Sequence, residues 1–190
     1  MGLFSASVSF RTASPDTVGQ AYATAFPGEP ACVSHSHGGW VTLVSESLDM
    51  FNPATLQQVA STITAACACP AVAFMVADSD SVDLWAYSAQ GTSAAHFSAH
   101  VAEPGEPPEI RCPADGLAAI EALLGGDATA DRIRSILSAP QVFADDWLYQ
   151  LAELLGIVGV GVSYRIVDEE CGPGSLDCLP GWEQFTRVGQ

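Results

Sequence analysis

The chain has 190 residues, 48% of them apolar, with 22 acids against six basic residues and a net charge of −16. All six basic residues are arginines, which excludes a Schiff-base lysine or a phosphate-loop lysine, and so acidic a chain has little with which to neutralise nucleic-acid phosphates. A chain of this length buries roughly 70% of its unfolded surface, so its core needs neither a metal nor a disulfide staple.

From the N-terminus, Phe4, Ala6, Val8 and Phe10 alternate with Ser5, Ser7, Ser9 and Arg11, the period of a half-buried strand. Residues 14–26 then read as a helix. Ser14 caps it, Pro15 occupies its first turn, Asp16 suits the helix dipole, and Val18 and Tyr22 share an apolar face. Residues 31–37 and 40–46 flank Gly38-Gly39, a pair that tolerates the positive φ angles of a two-residue hairpin turn. A second helix spans 52–68, capped by Asn52, with Leu56, Val59, Ile63 and Cys67 on one stripe. Residues 71–77 are apolar on both faces, as in a central strand.

Two further strands, 82–89 and 92–101, turn around Gln90-Gly91. A Pro-rich break at 103–109 precedes three helical patterns, Asp115–Leu124, Thr129–Leu137 and Ala144–Leu155. Residues 157–167 read as a final strand, and the tail from Cys171 as a loop that Trp182 and Phe185 pin down. The expected class is α+β: a ferredoxin-like βαββαβ order extended by a β-meander, with a C-terminal helical section and a final strand. Residues 1–102 would form the sheet domain, 103–112 a connector, 113–170 a helical section plus strand on the same core, and 171–190 the tail.

No apolar run approaches the ~20 residues of a membrane helix. The N-terminus lacks a basic segment followed by an apolar one, and Ala6 stands where a myristoylation signal needs Ser or Thr. These features point to a cytoplasmic protein whose six cysteines are mostly reduced.

Chemistry has four candidate locations. The stretch Cys32 to Trp40 holds a thiol and two histidines. With Gly38-Gly39 as the turn, Val33 lies opposite Val44, and His35 and His37 share a face about 7 Å apart. Cys32 falls on the other face and Glu46 lies about 13 Å beyond His35. Two ligands do not make a zinc site, so a divalent metal here is the weaker expectation. His96 and His100 sit in a strand pattern, which separates them by about 13 Å. With Trp85 and Tyr87, His96 could instead line a ligand-binding sheet face.

In Phe74 to Leu84, an apolar strand ends in Asp78-Ser79-Asp80. This resembles the nucleophile strand of haloacid-dehalogenase-type phosphatases, which implies Asp78 as nucleophile and Asp80 as acid, with a divalent metal. The resemblance covers about eight residues. The motif lies mid-chain, a strand pattern follows it, and no lysine is present to stabilise a phosphoryl aspartate. A polar β-turn explains the same residues. Asp145-Asp146 opens a helix, as caps do. Cys67 and Cys69 sit at a helix C-terminus, where the dipole disfavours a thiolate, so packing thiols are expected.

No catalytic motif stands out. The leading expectation is a non-enzymatic, inhibitor- or immunity-like acidic module that binds a basic protein partner and no nucleic acid or membrane. A metal-assisted hydrolase using Asp78 and Asp80 is the alternative.

Overall fold

A computed structural model describes residues 3–11, 14–102, 106–111, 116–124, 129–170 and 185–188. Among these residues eight strands form one sheet in the order β7-β6-β5-β4-β1-β3-β2-β8, with every neighbouring pair antiparallel. The strands are β1 (Ser5–Phe10), β2 (Ala31–Ser34), β3 (Val41–Ser45), β4 (Ala71–Ala77), β5 (Ser81–Tyr87), β6 (Ser93–His100), β7 (Glu109–Arg111) and β8 (Phe185–Val188). Six helices are described: α1 (Pro15–Ala25), α2 (Pro53–Cys67), α3 (Gly116–Leu124), α4 (Thr129–Ser138), α5 (Ala144–Leu155) and α6 (Tyr164–Glu170). None of them is long and apolar enough to cross a membrane.

The helices α1 and α2 cover one face. Their Val18, Tyr22, Leu56, Val59 and Ile63 pack on Ala6, Val8, Phe10, Leu43 and Ala73. Helices α3, α4 and α5 cover the other face, where Ile120, Ile133, Trp147 and Leu148 meet Val72, Phe74, Leu84 and Phe97. This second layer changes the reading of β1, all six of whose residues are buried. The alternation of Ser and apolar residues is real, but it separates a hydroxyl-bearing buried face from an apolar one. Ser9 Oγ lies 2.9 Å from Thr42 Oγ1, which donates to the Val158 carbonyl at 2.7 Å. Those hydroxyls stay satisfied without water, as burial requires.

Three further expectations need correction. Residues 157–167 do not form a strand. Gly159 and Gly161 take positive φ angles of 77° and 73°, which breaks an extended ladder, and the chain then enters α6. The Asp49 carboxylate accepts the first amides of that helix, from Tyr164 at 2.9 Å and Arg165 at 2.8 Å. Burial pushes the Asp49 carboxyl above its ordinary value while those two amides pull it back. The tail is not all loop, since β8 pairs with β2 and Arg187 bridges Asp168 of α6 at 2.7 Å. Trp182 lies outside the described residues. The Pro-rich connector also contributes β7, paired to β6 through Ser98–Arg111 to His100–Glu109.

Candidate functional site

The turn between β4 and β5 is the polar run Asp78-Ser79-Asp80. Asp78 and Ser79 both adopt left-handed angles, φ 52° and 58°, and Asp80 N–H donates to the Ala77 carbonyl at 3.0 Å. Two successive left-handed residues match the twist of a hairpin, and Asp tolerates that region better than most residues. Ser79 is buried and tied on three sides. Its Oγ accepts the Leu3 amide at 2.7 Å, its N–H donates to the Leu3 carbonyl at 3.1 Å, and its carbonyl accepts the Ala144 amide at 2.7 Å. With Ser79 anchored, Asp78 and Asp80 are exposed on either side of it.

The Ser79–Ala144 bond sets this turn against the start of α5. The residue at the helix N-cap is Phe143, which offers no side-chain cap, so the Ser79 carbonyl accepts the first helical amide in its place. Asp145 and Asp146 follow in the first turn, favoured there by the helix dipole rather than acting as caps. Trp147 is fully buried and its Nε1 donates to the Ala139 carbonyl at 3.0 Å. Just before it, Val142 and Phe143 are 74% and 55% exposed. The Ser79–Ala144 bond therefore brings the turn with exposed Asp78 and Asp80 beside the start of α5, where Val142, Phe143 and Asp146 are exposed and Asp145 is partly buried. The meeting of these two segments is invisible in the sequence, because Asp80 and Asp145 stand 65 positions apart. One signal was available: an apolar residue at a helix start, where a polar cap belongs, marks a helix capped from elsewhere in the fold.

The sheet-face trio is divided by the structure. Trp85 and His96 are cross-strand partners with rings stacked 4.5 Å apart, and His96 Nε2 lies 2.7 Å from Asp83 Oδ1. Tyr87 is buried under the β5–β6 turn, its hydroxyl without a hydrogen-bond partner among the described residues. Burial raises the Tyr87 phenol to about 12. With Trp85 also buried, only His96 of the three is exposed. Gly91 makes this packing feasible, since a Cβ there would sit 2.3 Å from the Ser61 carbonyl of α2.

The histidine hairpin departs from its expected register. His37 and Trp40 exchange backbone bonds of 2.9 and 2.8 Å around Gly38 and Gly39, as the two-residue turn requires. Beyond them Val33 faces Leu43 rather than Val44, so one extra residue is accommodated on the His35 side. Ser34 Oγ accepts the Thr42 amide at 2.8 Å, in the place of a ladder carbonyl. This bulge takes His35 out of the strand, and the shared face for His35 and His37 is lost. Both histidines are exposed, and no group of three or more potential metal ligands occurs among the described residues. His96 and His100 lie four positions apart on β6, as the strand pattern predicted.

Comparison with known protein families, curated proteins and solved structures finds no match for this chain.

Proposed function

We propose that this protein is a non-enzymatic acidic interaction module that docks a basic protein partner at the junction of the β4–β5 turn and α5. The observation that carries this reading is the Ser79–Ala144 bond, which sets the turn with exposed Asp78 and Asp80 beside the start of α5, where Val142, Phe143 and Asp146 are exposed. Exposed apolar side chains next to like charges suit a partner that presents apolar groups among arginines or lysines. The carboxylates would steer encounter and the apolar pair would hold the complex. The net charge of −16 extends the same attraction over the surface. We place this activity in the cytoplasm, where free cysteines persist. Within the sheet, β4-β1-β3-β2 together with α1 and α2 reads as a ferredoxin-like split βαβ unit, to which β5, β6 and β7 add a meander.

Pull-down at low and moderate salt tests the docking reading, since screening shortens from ~10 Å at 0.1 M to ~3 Å at 1 M salt. A partner captured at low salt should be released as salt rises. It should be lost in a protein carrying Asp78→Asn, Asp80→Asn, Asp145→Asn and Asp146→Asn, and weakened by Phe143→Ser. No partner, or one retained unchanged through high salt and in the four-Asn protein, overturns the reading. Stoichiometric divalent metal in protein purified without an affinity tag would overturn it in favour of a hydrolase using Asp78 and Asp80.

A further inference from the structure

Strand β8 is gripped on both of its faces. Along β2 it pairs Val188 with Ala31, Arg187 with Cys32, Thr186 with Val33 and Phe185 with Ser34. Phe185 and Val188 stand three positions apart, so their side chains leave opposite faces of the sheet. Val188 packs with the core under α1 and α2, and Phe185 with Val44 and Val162 on the other side. Arg187 shares the Phe185 face and binds α6 twice. Its Nε lies 2.7 Å from Asp168 Oδ1, and its Nη2 donates to the Asp168 carbonyl at 2.8 Å.

Both apolar side chains enter sockets left by a missing Cβ. Gly19 lies inside α1, and a Cβ there would sit 2.7 Å from Val188 Cγ1. Glycine weakens a helix interior relative to alanine, and Gly19 has no positive φ to require it. The room that it leaves is filled by Val188. At Gly159 a Cβ would sit 2.8 Å from Phe185 Cζ, although a φ of 77° calls for glycine there in any case. The β2 edge thus selects an aromatic ring at Gly159, an arginine at Asp168 and a β-branched side chain at Gly19. Recognition by strand addition has this form, with main-chain bonds for affinity and alternating side chains for specificity.

We propose that the β2 edge is a strand-accepting site that takes the Phe185–Val188 segment of a second copy of this chain in place of its own. The second copy's segment carries the same three side chains, so exchange re-forms the contacts that it breaks. Residues 171–184 connect α6 to β8, and these 14 residues reach up to about 50 Å when extended. That length lets the segment leave its own edge while α6 stays in place.

Two effects oppose exchange in dilute protein. A short linker holds the chain's own segment at an effective concentration on the order of millimolar, which favours the closed monomer. The net charge of −16 on each copy also resists association, and salt screens that repulsion. Exchange therefore increases with protein concentration and with salt. The salt effect is opposite in sign to the release of a basic partner, and the proposal does not depend on the docking surface at α5.

The test uses two full-length variants. Gly19→Leu fills its own socket and leaves its segment free to be donated. Val188→Asp keeps the socket open and disables its own segment. Sedimentation velocity is run at about 1 mM total chain, to match the effective concentration of the linker. Each variant alone should sediment as a monomer. Their mixture should form a 1:1 complex of twice the monomer mass, in a fraction that rises with salt, and adding Phe185→Asp to the Gly19→Leu chain should abolish it. Circular dichroism checks that each variant folds, and Gly19→Ala, which adds one carbon, serves as donor if Gly19→Leu does not. A mixture of folded variants that stays monomeric, a variant that dimerises alone, or a complex that survives Phe185→Asp overturns the proposal.

Discussion

Helices α1 and α2 start on residues of their own segments, with Ser14 Oγ accepting the Thr17 amide at 3.3 Å and Asn52 Oδ1 the Ala54 amide at 2.9 Å. Proline follows each cap. Helices α5 and α6, on the opposite face, start on atoms from far along the chain. The Ser79 carbonyl receives the Ala144 amide and the Asp49 carboxylate receives those of Tyr164 and Arg165. Ser163 adds a local bond to Ile166 at 3.3 Å, but it does not replace Asp49. The comparison separates two ways of ending the same deficit of unpaired helix amides. A local cap forms as soon as its helix does. A tertiary cap forms only when the sheet already holds its acceptor, and it ties the helix to a particular place. At α5 that place is the Asp78–Asp80 turn, so the capping arrangement itself assembles the proposed docking surface.

The largest expected effect tests whether the α5 layer is integral to the sheet. Trp147 is fully buried against the β4–β6 face, and Trp147→Ala should cost about 3–5 kcal/mol in chemical denaturation. A loss under about 1 kcal/mol would show that the second layer is an accessory, which would break the comparison. A middle-sized effect compares the caps directly. Asp49→Ala removes a charged acceptor of two amides and should cost about 1.5–3 kcal/mol, against about 1 kcal/mol for Asn52→Ala. Equal losses would mean that the distant cap adds nothing beyond what a local one provides.

The smallest effect concerns the α6 side at alkaline pH. Burial, aided by the Asp168 charge and opposed by Arg187, pushes the Cys32 thiol from 9.0 to about 11. Because the folded value is the higher one, the associated stability is fully present below pH 9.0 and is lost as pH rises through about 11. Denaturation midpoints should therefore fall across that interval, and Cys32→Ala should flatten the decline without abolishing it. Tyr164, raised to about 12 chiefly by burial, keeps a residual slope. An unchanged slope in Cys32→Ala would remove this thiol from the account.

Legibility in the sequence followed the range of the interactions. Strands β1 and β4, both capped helices, the Gly38-Gly39 turn and the β5–β6 pair were readable, because each depends on period, a cap or a turn residue within a few positions. The bulge at His35 was not, since an extra residue in one strand is decided by what its partner pairs with. The reading of 157–167 as a strand failed because alternating Val and Gly fits either an extended ladder or a positive-φ crossing. Of the candidate site residues, the Asp78–Asp80 turn was legible and its docking on the start of α5 was not. Trp85 and His96 were placed on one face correctly, while the burial of Tyr87 depended on how the β5–β6 turn docks on α2.

By itself the sequence determined which segments are helices and strands over most of the chain, the acidity of the surface, and the absence of amine chemistry. These depend on residue type and local spacing, which a linear reading contains. Only the tertiary structure decided that both faces of the sheet are covered, that β8 closes one edge, and that the Asp78–Asp80 turn docks on the start of α5 beside Val142 and Phe143. Each of those outcomes depends on contacts between segments whose separation in the chain carries no information about their separation in space.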